Sequence, residues 1–183
     1  MVARGVRGNR AVFLDRDGVI NEAVIRDGKP CPPANLAELR IAPGVPQAVQ
    51  QLREAGFVLI VVTNQPDVAR GTTLRETVEQ IHAQLGRELG LDAFRVCYHD
   101  NVDNCDCRKP RPGLLLDAAR EFQIDMARSF MIGDRWRDME AGQSAGCRTI
   151  FVDYAYDERQ PTDYDWRVSS LAEAAAQICR LRD

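Results

Sequence analysis

Apolar residues in this chain fall into two patterns, and the patterns alternate. AVFLD at 11–15 is a short apolar run closed by an acid, which predicts a buried strand. FVLIVVTN at 57–64 is continuous and β-branched. It lacks the every-other-residue break of a half-wet sheet, so it predicts a strand covered on both faces. FRVCYH (94–99), SFMIGD (129–134) and CRTIFVDY (147–154) read as further strands. Between them the period lengthens to that of a helix. Val45, Ala48, Val49 and Leu52 mark one from 45 to 55, closed by Gly56. Leu74, Val78, Ile81 and Leu85 mark the core side of a second, capped by Thr72 or Thr73 and running to about Leu89 before Gly90. Helices are also predicted at 113–122 behind Pro112, at 135–145 and at 171–181. Residues 19–43, with four prolines, cannot form one regular element. Residues 1–9 read as a frayed lead-in, and 155–167 as a polar loop.

Strands alternating with helices predict an α/β fold, Rossmann-like, with a doubly wound parallel sheet and helices on both faces. In such sheets ligands sit outside the carboxyl ends of the strands. Three predicted strands end there in reactive residues: Asp15, Thr63-Asn64 and Asp134. Separate motifs are thereby expected in one crevice.

Composition narrows the picture. The chain has 183 residues, 45% hydrophobic and 28% charged, which suits one domain over 1–183. Its core is expected over about 10–155, with a terminal helix within 168–182. A net charge of −3 and no basic-aromatic stripe argue against nucleic acid as a partner. No apolar run is long enough for a membrane span, and the basic start has none long enough for a signal peptide. A cytoplasmic protein, monomeric and acting on a small phosphorylated metabolite, is the expectation. Of six cysteines, three cluster beside a histidine, which points to metal in a reducing compartment rather than to disulfides.

The strand ends carry a coherent chemistry. Asp15 and Asp17 lie two apart in DRDGVIN, and Gly18 lets the chain bend just after them. One carboxylate can attack phosphorus and the other can serve as acid and base. Asp134 and Asp138, in GDRWRDMEAG, suit Mg²⁺, a hard cation that prefers oxygen. A dication and Lys109 would offset the repulsion between an Asp anion and a phosphate dianion. Thr63 and nearby backbone can donate to phosphoryl oxygens.

FLDRDGVIN, VVTN, the lysine of RKPRPG and MIGDRWRD, in that order, resemble the four motifs of the haloacid dehalogenase superfamily of phosphatases, over about residues 11–152. The resemblance implies Asp15 as nucleophile and Asp17 as general acid/base. It implies Mg²⁺ held by Asp15, the Asp17 carbonyl and Asp134, with Asp138 in the outer shell and Thr63 and Lys109 on the phosphoryl group. Asp17 favours phosphoryl transfer, because true dehalogenases lack that acid. No room exists for a helical cap, so a capless, open site is expected.

Cys97, His99, Cys105 and Cys107 form C-x-H-x₅-C-x-C, a Cys₃His set for a closed, structural Zn²⁺ site in a loop at 97–107. His82 reads as a lone surface or packing residue, and Cys31, Cys147 and Cys179 as ordinary ones. A zinc loop just before RKPRPG, together with TNQ and ARG, looks like the heptose bisphosphate phosphatases and the related histidinol-phosphatase domains. That likeness implies Asn64, Gln65, Arg70 and Arg108 as substrate contacts, the arginines on a distal phosphate. The chain departs from it at Pro66-Asp67, at Tyr98 and Asp100, at Arg135 and in the 21–36 flap.

Overall fold

A computed structural model describes residues 8–26 and 29–181. Six strands form one parallel sheet: β1 (Arg10–Leu14), β4 (Phe57–Asn64), β5 (Ala93–Cys97), β6 (Phe130–Gly133), β7 (Arg148–Val152) and β8 (Trp166–Val168). Their spatial order is β5-β4-β1-β6-β7-β8. The chain winds outward from β1 to β5, then returns to the other side of β1 and winds outward again. Strand β1 is therefore the switch point, where a crevice must open. Register aligns the chemistry there. Leu14 pairs with both Val61 and Ile132, so Asp15–Asp17 emerge level with Thr63 and Asp134.

Alternation along the central strands divides the core in two. Val12, Leu14, Leu59, Val61 and Ile132 face α1 (Val45–Glu54), α2 (Arg75–Leu89) and α5 (Leu171–Arg180). Ala11, Phe13, Ile60, Val62 and Met131 face α3 (Gly113–Phe122) and α4 (Trp136–Ala145). Both faces are covered, which is why β4 is apolar almost throughout. Between β1 and α1 the chain makes only a small hairpin, β2 (Val24–Arg26) with β3 (Lys29–Cys31), so no helical cap stands there among the described residues. No helix among them is long and apolar enough to cross a membrane.

Several expectations fail locally. Thr72 and Thr73 do not cap α2, because their amides close the turn on the Asp67 carbonyl and the helix begins only after Leu74. The N-cap is Leu74, with no side-chain cap, and Leu74 is 71% exposed rather than on the core side. The 155–167 loop ends early, in β8, whose three residues are too short to show a period; Trp166 stacks on Phe130 at 5.8 Å. Asn9 is not frayed. Its amide donates to Gln123 O at 2.9 Å and its carbonyl accepts from Asp125 N at 2.8 Å. The rest of the expected lead-in, 1–7, lies outside the described residues, and Gly8 lies within them.

Candidate active site

A cavity of about 390 Å³ opens at the carboxyl ends of β1, β4 and β6. Asp15, Asp17, Thr63, Asn64, Lys109 and Asp134 all line it, as do Asp138, Arg70 and Arg108. Gln65 does not. Its side chain is buried and donates to Asp17 Oδ2 (2.8 Å) and Thr63 Oγ1 (3.0 Å). The family likeness implied it as a substrate contact, but its amide is spent on these two residues.

Lys109 organises the floor. Its ammonium reaches Asp15 Oδ1 at 2.9 Å, Asp138 Oδ1 at 2.5 Å and the Val62 carbonyl at 2.8 Å, so its three donors are all used. Burial works against that charge, but Asp138 and Asp15 outweigh it and hold the pKa above its ordinary value. The segment is clasped to β4: Asn64 Nδ2 donates to Lys109 O (3.0 Å), and Lys109 N donates to Asn64 Oδ1 (3.1 Å). Asn64 is thus a brace for the lysine as well as a cavity residue.

Carboxylates are crowded here. Ligand atoms of Asp15, Asp134 and Asp138 lie within 4.8 Å of one another. Burial, then Asp138, pushes Asp15 up to about 6, against the pull of Lys109. Burial, then Asp15 and Asp138, drives Asp134 well above the usual carboxylate range. Asp134 Oδ1 is buried with no hydrogen-bond partner. Backbone is cleared to admit these groups. A Cβ on Gly18, at φ +87°, would stand 2.1 Å from Asp134 Oδ2. A Cβ on Gly133 would stand 2.1 Å from the Asp138 Cβ. Three hard oxygen donors, mutually repelling and one of them orphaned, fit a divalent cation such as Mg²⁺. Asp138 has both oxygens engaged, since Oδ1 holds Lys109 and Oδ2 accepts from Arg135 N at 3.0 Å.

Asp17 is built differently. Oδ1 accepts from Arg16 Nε (3.1 Å) and Asn21 Nδ2 (3.0 Å); Oδ2 accepts from Arg16 Nη2 (2.9 Å) and Gln65 Nε2 (2.8 Å). Burial opposes its charge, but Arg16, Asn21 and Gln65 prevail and lower the pKa.

Cys97, His99, Cys105 and Cys107 also converge. Their sulfurs are 3.2–3.7 Å apart, and His99 Nδ1 lies 3.3 Å from Cys107 Sγ and 3.7 Å from Cys97 Sγ. These are free thiols, too far apart for disulfides. Tetrahedral Zn–S bonds of about 2.3 Å would set ligand edges at about 3.7 Å, so the four residues fit zinc.

The arginines sort by their partners. Arg70 forks onto Asp100 at 2.7 Å through Nε and Nη2, and pairs with Asp67 at 3.2 Å. That fork pulls Asp100 down to about 2 and ties the 65–71 loop to the zinc loop. Among the described residues Arg108 hydrogen-bonds neutral groups, Asn101 Oδ1 (2.9 Å) and His99 O (3.2 Å), and its charge also acts on Asp100. Arg137, which the sequence reading passed over, lines the cavity too. Its guanidinium lies over the Trp136 ring at 4.8 Å, with no ion pair. Burial lowers its pKa first, and the Arg108 and Arg135 charges lower it further. Glu158 arrives from the late loop to pair with Arg135 at 3.4 Å. A second arginine between Asp134 and Asp138 was the available signal for Arg137; nothing local marks Glu158.

Comparison with known proteins bears on this arrangement. A haloacid dehalogenase-like hydrolase family model matches residues 33–146. The D-glycero-beta-D-manno-heptose-1,7-bisphosphate 7-phosphatase of Photorhabdus laumondii is 40% identical over 153 residues, 76% of this chain and 77% of its own. The Escherichia coli K12 enzyme of that name is 35% identical over 187 residues, covering 92% and 93%. The crystal structure of D,D-heptose 1,7-bisphosphate phosphatase from B. bronchiseptica, complexed with magnesium and phosphate, superposes with a TM-score of 0.80. It is 32% identical and covers 92% of this chain and 97% of that one. With its motifs gathered at one sheet edge, this chain belongs to the haloacid dehalogenase-like hydrolase family.

Proposed function

We propose that the protein is a magnesium-dependent phosphatase that removes the 7-phosphate from D-glycero-D-manno-heptose 1,7-bisphosphate through a phospho-aspartate on Asp15. The chemistry rests on one observation: Asp15, braced by Lys109, beside Asp134 and Asp138 on the cavity floor. The substrate rests on the name shared by the relatives.

In this reading an Asp15 oxygen bonds to phosphorus as the bond to the sugar oxygen breaks. Asp17 gives that leaving oxygen a proton, then takes one from the water that splits the acyl phosphate. An ionised carboxylate offers about four lone-pair positions, and four donors fill those of Asp17. Both roles therefore require one donor to withdraw, because a proton on Asp17 needs one of those positions. Thr63 holds a phosphoryl oxygen, and Lys109 holds another by releasing one of its three present acceptors. Mg²⁺, held by Asp15, Asp134 and the Asp17 carbonyl with Asp138 outside, supplies positive charge against the phosphate. Zn²⁺ on Cys97, His99, Cys105 and Cys107 is structural and fixes the loop before Arg108 and Lys109. Such thiolate ligands go with a reducing, cytoplasmic setting.

The second phosphate is received by Arg108 and Arg137, which form no ion pair among the described residues, while Arg70 is paired with both Asp67 and Asp100. Histidinol phosphate has no second anion to offer them. Purified enzyme should turn over the bisphosphate with kcat/KM at least about tenfold above heptose 7-phosphate and histidinol phosphate. Arg137→Ala should shrink the bisphosphate-to-monophosphate ratio by about tenfold, mostly through KM. Equal turnover of all three compounds by the parent would remove the substrate assignment.

Metal binding gives a stability signature. An acid whose folded pKa is raised costs stability progressively as pH rises from its ordinary value, 3.8, to the folded one, about 6, so the metal-free protein should gain stability as pH falls from about 6 towards 3.8. A bound cation relieves the repulsion only where the carboxylates are ionised. Magnesium should therefore raise Tm by several degrees at about pH 7.5 and much less at about pH 5. Equal shifts at the two pH values, read by calorimetry, would place the ion elsewhere.

A further inference from the structure

Arg16 stands between the two acids of the first motif and is the largest of the fully buried side chains. A guanidinium out of water must place its donors on acceptors or destabilise the fold. Two go to Asp17, as a fork at 3.1 and 2.9 Å. A third N–H, on Nη1, lies 3.0 Å from Nε2 of His82, on α2. A guanidinium only donates, so His82 Nε2 must be the acceptor. That puts the ring proton on Nδ1 and makes the ring neutral. Burial, then the Arg16 charge, pushes the His82 pKa down to about 3, consistent with that assignment. The ring is fixed by stacking on Phe94, with centroids 4.9 Å apart and planes 24° from parallel. Arg16 N also donates to Asp15 Oδ1 at 2.8 Å, so one residue steadies both acids.

We propose that His82 is a positioning residue for Asp17, acting through Arg16 in a buried Asp17–Arg16–His82 relay. It touches no substrate and does not line the main cavity. Its lone pair fixes the rotation of the guanidinium, and the guanidinium fixes the plane of the carboxylate. Losing that acceptor leaves Nη1 unpaired, and Arg16 turns to find another, taking Asp17 with it. The inference rests on Asp17 being the acid/base, and the test separates the two claims.

The leaving group provides the readout. A sugar alkoxide needs the Asp17 proton to depart, whereas p-nitrophenolate departs readily without one. Methionine and glutamine have nearly equal length, but only glutamine keeps an oxygen acceptor. Read as kcat/KM, which reports the step that expels the leaving group and not the shared hydrolysis of the acyl phosphate, His82→Met should lower the sugar phosphate about tenfold or more and p-nitrophenyl phosphate much less. His82→Gln should recover most of that loss. Asp17→Asn sets the reference and should show the same bias more strongly. If Asp17→Asn shows the bias and His82→Met does not, the relay is wrong while the acid/base reading stands. The relay is equally wrong if the Met and Gln variants behave alike, or if both substrates lose equally in step with Tm, which is packing alone. No bias in Asp17→Asn would overturn the acid/base reading and the relay with it.

Discussion

Asp15→Asn will abolish phosphate release, by on the order of 10⁴-fold or more, and leave the protein folded. The amide has the shape of the carboxylate but no anionic oxygen to bond to phosphorus. The stability half of this expectation is as specific as the activity half. Asp15 is ionised against burial and against Asp138, with its pKa up at about 6. An uncharged side chain there removes that penalty. The variant should melt no lower than the parent without magnesium, and respond less to added magnesium, because one carboxylate of the cluster is gone. Phosphate release and thermal melts on the same preparations check both. A variant with full activity would refute the phospho-aspartate.

Cys105→Ser should take the zinc content from one per chain to none and cut activity by about tenfold or more without touching the nucleophile. The four ligands leave the loop little apolar surface to bury, so a metal stands in for a core. Cys107 is followed directly by Arg108 and Lys109, so a slack loop moves both the rim cation and the floor lysine. Collapse need not be global, because Asn64 still clasps Lys109 and Arg70 still grips Asp100. Elemental analysis and amide exchange across 97–109 would report the change. Fresh, reduced parent protein without zinc would sink the structural-zinc reading.

Much of this architecture is written locally in the chain. A run such as 57–64 specifies a strand with both faces covered by composition alone, and β4 is that strand. Thr63, Asn64 and Asp134 were found because polar residues that close an apolar run have few places to go but the sheet edge. The cluster of Cys97, His99, Cys105 and Cys107 was legible because its members lie within eleven residues. Positions governed by distant partners were not legible. Leu74 keeps the helical spacing of Val78 and Ile81 yet is exposed, because α2 begins after it and nothing packs over that end. Gln65 follows a cavity residue but turns inward to Asp17. Arg70 has the chemistry for a phosphate, but Asp67 and Asp100 reach it first.

The sequence by itself determined the alternation of strand and helix, the parallel sheet and which polar residues close its strands, because these depend on periodicity and on side-chain chemistry carried by short segments. Tertiary structure alone decided which charges stay free. Among the described residues Arg108 and Arg137 are left without an ion pair, Arg70 is paired twice, and Arg16 is buried on His82. Charge pairing falls off within a few ångströms and depends on which loops meet, and no spacing along one chain encodes that meeting.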